Sequence, residues 1–345
     1  DIEPDFTVSV NKLGHLVINQ KVFQKSQFSS ERDAISLEIF NNLFMSIAEQ
    51  MGFTLQNTAH SINIKERLDF SCALFDGYGN LVANAPHVPV HLGAMSESVK
   101  SIISANKGKM KDGDYYLINN PHKGGSHLPD ITVIAPVFSG STKPIFYVAS
   151  RGHHADIGGI TPGSIPPFSK TIYEEGIIID NFLIVEKGKL REKEFEKILL
   201  SSENPARNIE ERKHDINAQI AAVSKGIHEI RNMIEKYELS TVQSYMKYIR
   251  ENSAEAMSDA LKDYIGDDND KEKVFEDFLD DGSKISVKIN VVKKEGNIRP
   301  FHAIVDFSGT DSQMDNNLNA PIAVTKAAVL YVFRLLINKD IPLNS

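Results

Sequence analysis

Six of the eleven histidines lie between residues 87 and 154, where they form three close pairs. The pairs are His87/His91, His122/His127 and His153/His154, and two aspartates, Asp130 and Asp156, follow the later pairs. Imidazole and carboxylate groups are common ligands of zinc, manganese and iron, and histidine readily exchanges a proton near neutral pH. The concentration therefore predicts a metal site or an acid/base site.

Two segments rich in glycine and proline contain the later pairs. They read NNPHKGGSHLPD at 119–130 and SRGHHADIGGITPGSIPPFSKTIYEEG at 150–176, and each follows a predicted strand. Loops that a rigid scaffold positions often carry chemistry, and glycine allows a backbone to approach a ligand closely. The two loops together predict one composite site.

The sharpest prediction is a divalent metal, zinc, manganese or iron, held by His127, Asp130 and His153. His127 and Asp130 are close enough in sequence to converge from one loop, whereas His153 must arrive from another strand end. His154 and Asp156 are the alternative or supporting members, and we expect them to be the catalytic residues. The competing interpretation is that these histidines are buried, hydrogen-bonded structural residues.

His87 and His91 would share one face of a helix, but Pro89 lies between them and argues against a helix there. An extended segment would also point both side chains the same way. Structural or supporting roles are therefore favoured over direct ligation. Cys72, inside DFSCALF, is expected to be a core residue and not a nucleophile.

A resemblance to a known family is carried by segments along nearly the whole chain. GGSHLPD, SRGHHADIGGITPGS, APHVPVHLG and DFSGTDSQMDNNLNAP resemble the hydantoinase B/oxoprolinase family. The segments EIFNNLFMSIAEQMG, SINIKERLDFSCALFD and AAVLYVFR look like its 5-oxoprolinase branch in particular. This chain resembles only the hydrolase half of such enzymes.

The resemblance implies ATP-dependent opening of a cyclic amide, 5-oxo-L-proline, to L-glutamate. It implies that ATP is bound by a hydantoinase A-like partner domain or subunit and not by this chain, which has no P-loop pattern. Metal-dependent ketone carboxylases in the same family support the metal prediction. A hydantoinase B-type or ketone carboxylase-type subunit, or a non-catalytic assembly subunit, remains an alternative.

A lactam that carries a carboxylate needs a cation and oxyanion donors. Arg151 or Arg67 could hold the carboxylate in a bidentate pair, although either could instead form a structural ion pair. The backbone amides of Gly124, Gly125, Gly158 and Gly159 could donate to the oxyanion, or these glycines could simply permit tight turns.

One position departs from the family pattern. Where relatives have the sequence NDP, this chain has Asn119, Asn120 and Pro121, so an amide replaces a carboxylate at Asn120. An amide carries no charge and does not titrate. If the family aspartate is a ligand or a base, Asn120 would weaken that function.

Composition excludes some classes of partner. The chain has 345 residues, is 41% hydrophobic and carries a net charge of −8 without a long basic run, which argues against nucleic acid or an anionic membrane as its main partner. No apolar stretch is long enough for a membrane helix. The single cysteine excludes an intrachain disulfide, which agrees with a reducing compartment. A cytoplasmic location is therefore expected. The start DIEPDFTVSV and the end IPLNS suggest a piece of a longer polypeptide.

The elements that must position these residues alternate without a regular βαβ repeat. Short strands open the chain, a helix at about 31–51 is expected to be capped by Ser29 or Ser30, and further strands are predicted at 69–75, 80–83, YYLIN, ITVIAPVF and PIFYVAS. Strands return from about 273, and a final helix is predicted at about 320–337. This order favours an α+β fold with mixed or antiparallel sheets.

A heptad seam occupies the middle of the chain. Its first half comprises Ile216, Ile220, Val223, Ile227, Ile230, Ile234 and Tyr237, and the same spacing continues from Leu239 to Ala260. The seam predicts a long antiparallel helical hairpin that turns near 237–240 and serves as scaffold or as an oligomer contact. The predicted domains are therefore 1–200 with the site loops, 204–264 with the hairpin, and a β-rich segment at 270–345.

Overall fold

A computed structural model describes residues 6–20, 29–85, 88–268 and 270–337. The strands are β1 Phe6–Val10, β2 Leu16–Gln20, β3 Phe70–Asp76, β4 Leu81–Asn84, β5 Tyr115–Ile118, β6 Asp130–Val137, β7 Phe146–His153, β8 Phe182–Glu186, β9 Lys189–Leu190, β10 Asp270–Phe278, β11 Lys284–Lys293 and β12 Phe301–Asp306. The helices are α1 Ala34–Thr58, α2 Ile62–Lys65, α3 Pro89–Ala105, α4 Ile172–Glu175, α5 Glu192–Leu199, α6 Ile209–Tyr237, α7 Leu239–Ile265 and α8 Ile322–Leu335, with a 3₁₀ turn at Pro121–Lys123.

A seven-stranded antiparallel sheet forms the scaffold, in the order β4-β3-β7-β6-β5-β8-β9. β6 and β7 are its central pair, and every residue of β6 is buried. Their register pairs Asp130 with His153 and Val137 with Phe146. The first residue of β6 therefore lies directly beside the last residue of β7.

Helices cover both faces of this sheet. On the face that we call the front, α3 packs against Tyr147 and Ala149 of β7 through Val99 and Ile102. On the other face, which we call the back, α1 and α6 pack against the alternate residues of the same strands, including Val148. Successive side chains of a strand point to opposite faces, so each strand contributes to both cores.

The start of α1 differs from the prediction. Asp33, and not Ser29 or Ser30, caps the helix, because its carboxylate accepts hydrogen bonds from the backbone amides of Ile35 and Ser36. Ser29 instead accepts a hydrogen bond from the amide of Glu31. The helix also continues to Thr58, beyond its predicted end.

The predicted turn between the two long helices is confirmed, since Glu238 alone separates α6 from α7 and has a φ of 69°. The seam of α6 is buried mainly against α1 and the sheet, in addition to α7. A Cβ at Gly226 would lie 2.5 Å from Met51 Sδ and 2.8 Å from Val148 Cγ1, so α6 approaches both neighbours closely. One core joins the helices to the sheet, and the division at 200 and 204 stays a prediction.

The last described part is a three-stranded antiparallel sheet, β10-β11-β12, whose residue Val291 packs against Leu261 and Ile265 of α7. The predicted final helix is confirmed as α8, and it contacts α3 so closely that a Cβ at Gly93 would lie 2.4 Å from Ala327 Cα. None of the described helices is both long enough and apolar enough to cross a bilayer. The α+β class with antiparallel sheets and long helices is confirmed.

Candidate metal centre

The three predicted ligands meet where β6 begins and β7 ends. Asp130 and His153 are cross-strand neighbours, and a turn in which the Asp130 amide donates to the His127 carbonyl brings His127 beside them. His127 Nδ1 lies 3.1 Å from Asp130 Oδ2, His153 Nδ1 lies 3.2 Å from Asp130 Oδ1, and the two imidazoles approach to 3.1 Å. One ligand atom from each residue lies within 4.8 Å of the others. The structure thus brings together the residues that the sequence predicted would converge.

Asp130 is the anchor of this triad and is fully buried. Besides His127 and His153, it lies 3.2 Å from His91 Nε2 and accepts a hydrogen bond from Ser126 Oγ. Burial alone would raise the pKa of Asp130, but the hydrogen bonds from the three imidazoles outweigh burial and hold this pKa well below its usual value. The carboxylate is therefore ionised and available as a ligand.

The triad opens to solvent on the His127 side. The side chain of His127 is 40% exposed, whereas that of His153 is 13% exposed. Burial lowers the pKa of His127, but the hydrogen bond and charge of Asp130 raise it by more, so the net shift is upward. A ligand would reach the triad past His127.

His91 lies in the first turn of α3, so the argument from Pro89 against a helix was wrong. Pro89 is the first residue of the helix, a position where proline is tolerated because its missing amide hydrogen would have no partner. His91 is buried between Ser71 Oγ, 3.1 Å from Nδ1, and Asp130. These contacts are consistent with the supporting role that the sequence favoured, which stays a prediction. His87 lies outside the described residues.

Asp69 is a neighbour of the triad that sequence reasoning missed. Its Oδ1 lies 3.8 Å from His91 Nε2, and its Oδ2 lies 3.8 Å from His153 Nδ1. The side chain of Asp69 is 37% exposed. Its backbone carbonyl also accepts the His153 amide hydrogen at 3.0 Å. The sequence indicated only that Asp69 starts a predicted strand. It could not show that β3 pairs with β7, which is what brings Asp69 close to His153.

The four glycines have steric roles. A Cβ at Gly124, which has a φ of 95°, would lie 2.2 Å from Ser98 N of α3, and one at Gly125 would lie 2.2 Å from the Asn119 carbonyl oxygen. The amides of Gly125, Gly158 and Gly159 already donate to Asn120 O, Asp156 Oδ1 and Asn204 O, each at 2.9 Å. The expected oxyanion role is therefore contradicted for these three, because their N–H groups are occupied.

Arg151 faces the front of the sheet but is fully buried. Its Nε donates to Thr132 Oγ1 at 2.8 Å, and its Nη2 donates to Ser98 Oγ at 2.8 Å and to Gly124 O at 3.1 Å. Burial lowers the pKa of Arg151 to about 10. Arg151 thus ties β6, α3 and the Gly124 turn together through Nε and Nη2, while its Nη1 is buried without a hydrogen-bond partner among the described residues. Arg67, by contrast, is exposed on the turn that leads to Asp69.

His154 and Asp156, the predicted catalytic pair, bond to other groups. His154 points to the back of the sheet, where Nε2 lies 3.0 Å from Gln219 Oε1, and burial lowers its pKa to about 4. The Asp156 carboxylate accepts hydrogen bonds from the amides of Gly158, Gly163 and Arg207 and from the Arg207 guanidinium. Neither arrangement leaves a group aimed at the triad, because strand alternation turns His154 away and loop amides enclose Asp156.

Asn120 acts as a cap. Its Oδ1 accepts the His122 amide hydrogen at 2.9 Å at the start of the 3₁₀ turn, a bond that an aspartate would also make. The departure from the family pattern is therefore compatible with the local fold.

Cys72 is fully buried, as expected of a core residue, and burial raises the pKa of its thiol to about 12.

Known proteins resemble this chain along almost its whole length. A profile of the hydantoinase B/oxoprolinase family matches residues 33–345. The chain is 47% identical over 363 residues to 5-oxoprolinase 1 of Arabidopsis thaliana, covering 99% of this chain and 28% of that protein. It is 46% identical over 336 residues to 5-oxoprolinase of Saccharomyces cerevisiae, covering 95% of this chain and 26% of that protein.

Among solved structures, the ATP-dependent caprolactamase from Pseudomonas jessenii aligns with a TM-score of 0.78 at 23% identity, over 91% of this chain and 52% of that chain. At this identity the likeness shows the fold alone. The chain spans little more than a quarter of the length of the two 5-oxoprolinases. The profile match and the identities nevertheless extend over almost all of its residues, and the chain therefore belongs to the hydantoinase B/oxoprolinase family.

Proposed function

We propose that this chain forms the hydrolase part of an enzyme that opens a cyclic amide, 5-oxo-L-proline, to L-glutamate in an ATP-dependent reaction. The observation that carries the proposal is the convergence of His127, Asp130 and His153 in a chain that is 47% identical to a 5-oxoprolinase. A hydantoinase A-like domain or subunit would bind ATP. This chain covers only 28% and 26% of the two 5-oxoprolinases, which is consistent with an ATP-binding part that is separate from it.

The triad fits a divalent metal ion. Two imidazoles and one ionised carboxylate offer three ligand atoms within 4.8 Å, with Asp130 fully buried and His127 open to solvent. This mixture of nitrogen and oxygen ligands suits zinc, manganese or iron. Such an ion would supply Lewis acidity at the reacting oxygen.

The residues of the chain would hold the reactants around this centre. A lactam is stabilised by resonance, and transfer of a phosphoryl group from ATP to its oxygen in the partner makes the ring carbon a better electrophile. Water then adds to that carbon, the C–N bond breaks and the nitrogen takes up a proton, which leaves an acyl phosphate. A second water hydrolyses the acyl phosphate to the carboxylate of glutamate and phosphate. Asp69, the partly exposed carboxylate beside His153, is placed to orient the attacking water.

Among the two arginines, Arg67 is the better partner for the substrate carboxylate. It is exposed two residues before Asp69, whereas Arg151 is buried and bonded to Thr132, Ser98 and Gly124. An exposed guanidinium can pair with a carboxylate without leaving an internal acceptor unbonded. A cytoplasmic location and an oligomeric assembly complete the proposal.

The test is product analysis with the chain, its ATP-binding partner, ATP and 5-oxoproline. We expect glutamate and ADP with the native chain and with His122→Ala, an exposed imidazole in the same loop. Asp130→Asn should abolish glutamate formation, because the buried anchor of the triad is lost. Carbon–carbon bond formation from a ketone and bicarbonate, without glutamate, would favour the carboxylase alternative. Equal turnover by Asp130→Asn would favour a non-catalytic assembly role.

A further inference from the structure

Gln219 of α6 joins the two strands that carry Asp130 and His153. It is fully buried, and its Nε2 donates to the carbonyl of Ile131 at 2.9 Å and to that of Ser150 at 3.0 Å. Ile131 follows Asp130 directly on β6, and Ser150 lies on β7 three residues before His153. A single amide on the back of the sheet thus bridges the strand ends whose front side forms the triad.

Two glycines allow the amide to come this close. At Gly152 a Cβ would lie 3.4 Å from Gln219 Nε2 and 3.0 Å from Ile64 Cδ1, so a side chain there would crowd the bridge. Gly226 lies about two helical turns further along α6 and leaves room for Met51 and Val148. Glycines on both elements, Gly152 on β7 and Gly226 on α6, therefore allow α6 to approach β7 closely.

The bridge also fixes the neighbouring imidazole. Because both hydrogens of the Gln219 amide point to carbonyl oxygens, its Oε1 must face His154 and accept a hydrogen from Nε2, 3.0 Å away. In the neutral ring His154 Nδ1 is then an acceptor. Within the described residues this atom has no hydrogen-bond partner although it is buried.

Among the other buried atoms of the described residues that lack a hydrogen-bond partner, three belong to Asp215 and its neighbours: Arg212 Nε, Asp215 Oδ2 and Ser61 Oγ. Asp215 connects them, since its Oδ1 accepts the Ser61 amide hydrogen at 3.1 Å and its Oδ2 lies 3.9 Å from Arg212 Nη2. Both Asp215 and Arg212 act electrostatically on His154. A buried group of donors and acceptors of this kind is what ordered internal water satisfies.

We propose that Gln219 is a positioning residue for the candidate metal centre: its amide holds β6 and β7 at the spacing at which Asp130 and His153 meet. The His154 imidazole, 3.0 Å from Oε1, orients that amide from its other side. This inference rests on the metal site proposed above. It explains why a glutamine on the back of the sheet is buried with its amide fully bonded while it touches none of the three ligands.

The test compares Gln219→Met and Gln219→Glu with Gln243→Met, an exposed glutamine of α7. Methionine keeps the volume but removes all three hydrogen bonds, and glutamate keeps the acceptor for His154 but has no amide hydrogens for the carbonyls. Co²⁺ is the probe, because its visible spectrum reports ligand geometry. We expect both Gln219 variants to bind Co²⁺ about 10–100-fold more weakly with an altered visible band, and Gln243→Met to match the native chain.

Native Co²⁺ affinity and an unchanged spectrum in Gln219→Met would overturn the inference. If the native chain takes up no Co²⁺, the proposed metal site is wrong. The hydrogen bonds of Gln219 to Ile131, Ser150 and His154 are then tested separately in metal-free protein. There, nitrogen NMR should place the His154 proton on Nε2, and Gln219→Met should accelerate hydrogen exchange of the His153 and His154 amides. Unchanged exchange and a proton on Nδ1 would overturn the bridge as well.

Discussion

The two faces of β7 use the same kinds of side chain for different purposes. On the front, His153 and Asp130 meet at a site that opens to solvent through His127. On the back, His154 is enclosed by Gln219 and lies near Asp215. Adjacent histidines in one HHAD segment thus take part in a candidate centre and in a buried support because a strand alternates its side chains. Proximity in sequence does not imply a shared site.

The largest expected effect lies on the back face, in Asp215→Ala. Asp215 is fully buried, accepts the amides of His60 and Ser61, and faces the buried Arg212. Removing it leaves a buried guanidinium with less compensation, and we expect the free energy of unfolding to fall by about 3–5 kcal/mol. Urea denaturation measures this change.

The matched control is Asp112→Ala, which breaks the exposed ion pair with Arg231 and should cost less than about 1 kcal/mol. Equal losses in the two variants would show that the back face is not the rigid support described above.

A smaller effect separates Arg151 from Arg67. Arg151→Met leaves Thr132 Oγ1 and Ser98 Oγ without the donor that Arg151 supplies and leaves the Gly124 carbonyl with Ser98 Oγ alone, so the free energy of unfolding should fall by about 1–3 kcal/mol. Arg67→Ala should leave stability unchanged and raise KM for 5-oxoproline about tenfold, because a charge-assisted contact is lost. Denaturation curves and steady-state kinetics check both. A raised KM in Arg151→Met at native stability would reverse the assignment.

The smallest effect is a pH dependence in the loop after β7. Burial raises the pKa of Asp156, but the hydrogen bonds from Arg207, Gly158 and Gly163 outweigh burial and lower it. The carboxylate therefore stabilises the fold above the pKa that it has in the unfolded chain, and this stabilisation is lost as the pH falls through its folded-state pKa.

Asp156→Asn should accordingly be destabilised by about 1 kcal/mol at pH 7, and the difference from the native chain should vanish in acid. Denaturation at neutral and acidic pH measures this difference, with Asp267→Asn, on an exposed turn, as the control. A difference that persists unchanged into acid would contradict the role of the ionised carboxylate.

Much of the site could be predicted from the residues themselves. His127, Asp130 and His153 were predicted together because their types and loop context suit metal binding, and the register of β6 with β7 brings them into contact. Asp69 was missed because strand pairing between distant segments is a tertiary property.

The errors have physical causes that a single sequence does not reveal. Pro89 was interpreted as a helix breaker although it starts α3. Arg151 was one of two candidates for the substrate carboxylate, and α3 and the Gly124 turn bury it. The α6 seam was expected to pack on α7, but α1 and the sheet also bury it. Pro89 is a local effect of its position at the helix start, whereas for Arg151 and the α6 seam the deciding contacts come from elements far away in the chain.

The most direct test of the central claim is elemental analysis of the purified native chain beside His127→Ala, Asp130→Asn and the control His122→Ala. The account predicts about one equivalent of zinc, manganese or iron in the native chain and in His122→Ala, and its loss from the other two folded variants. Metal retained in Asp130→Asn, or no metal in the native chain after loading, would contradict the proposed metal centre.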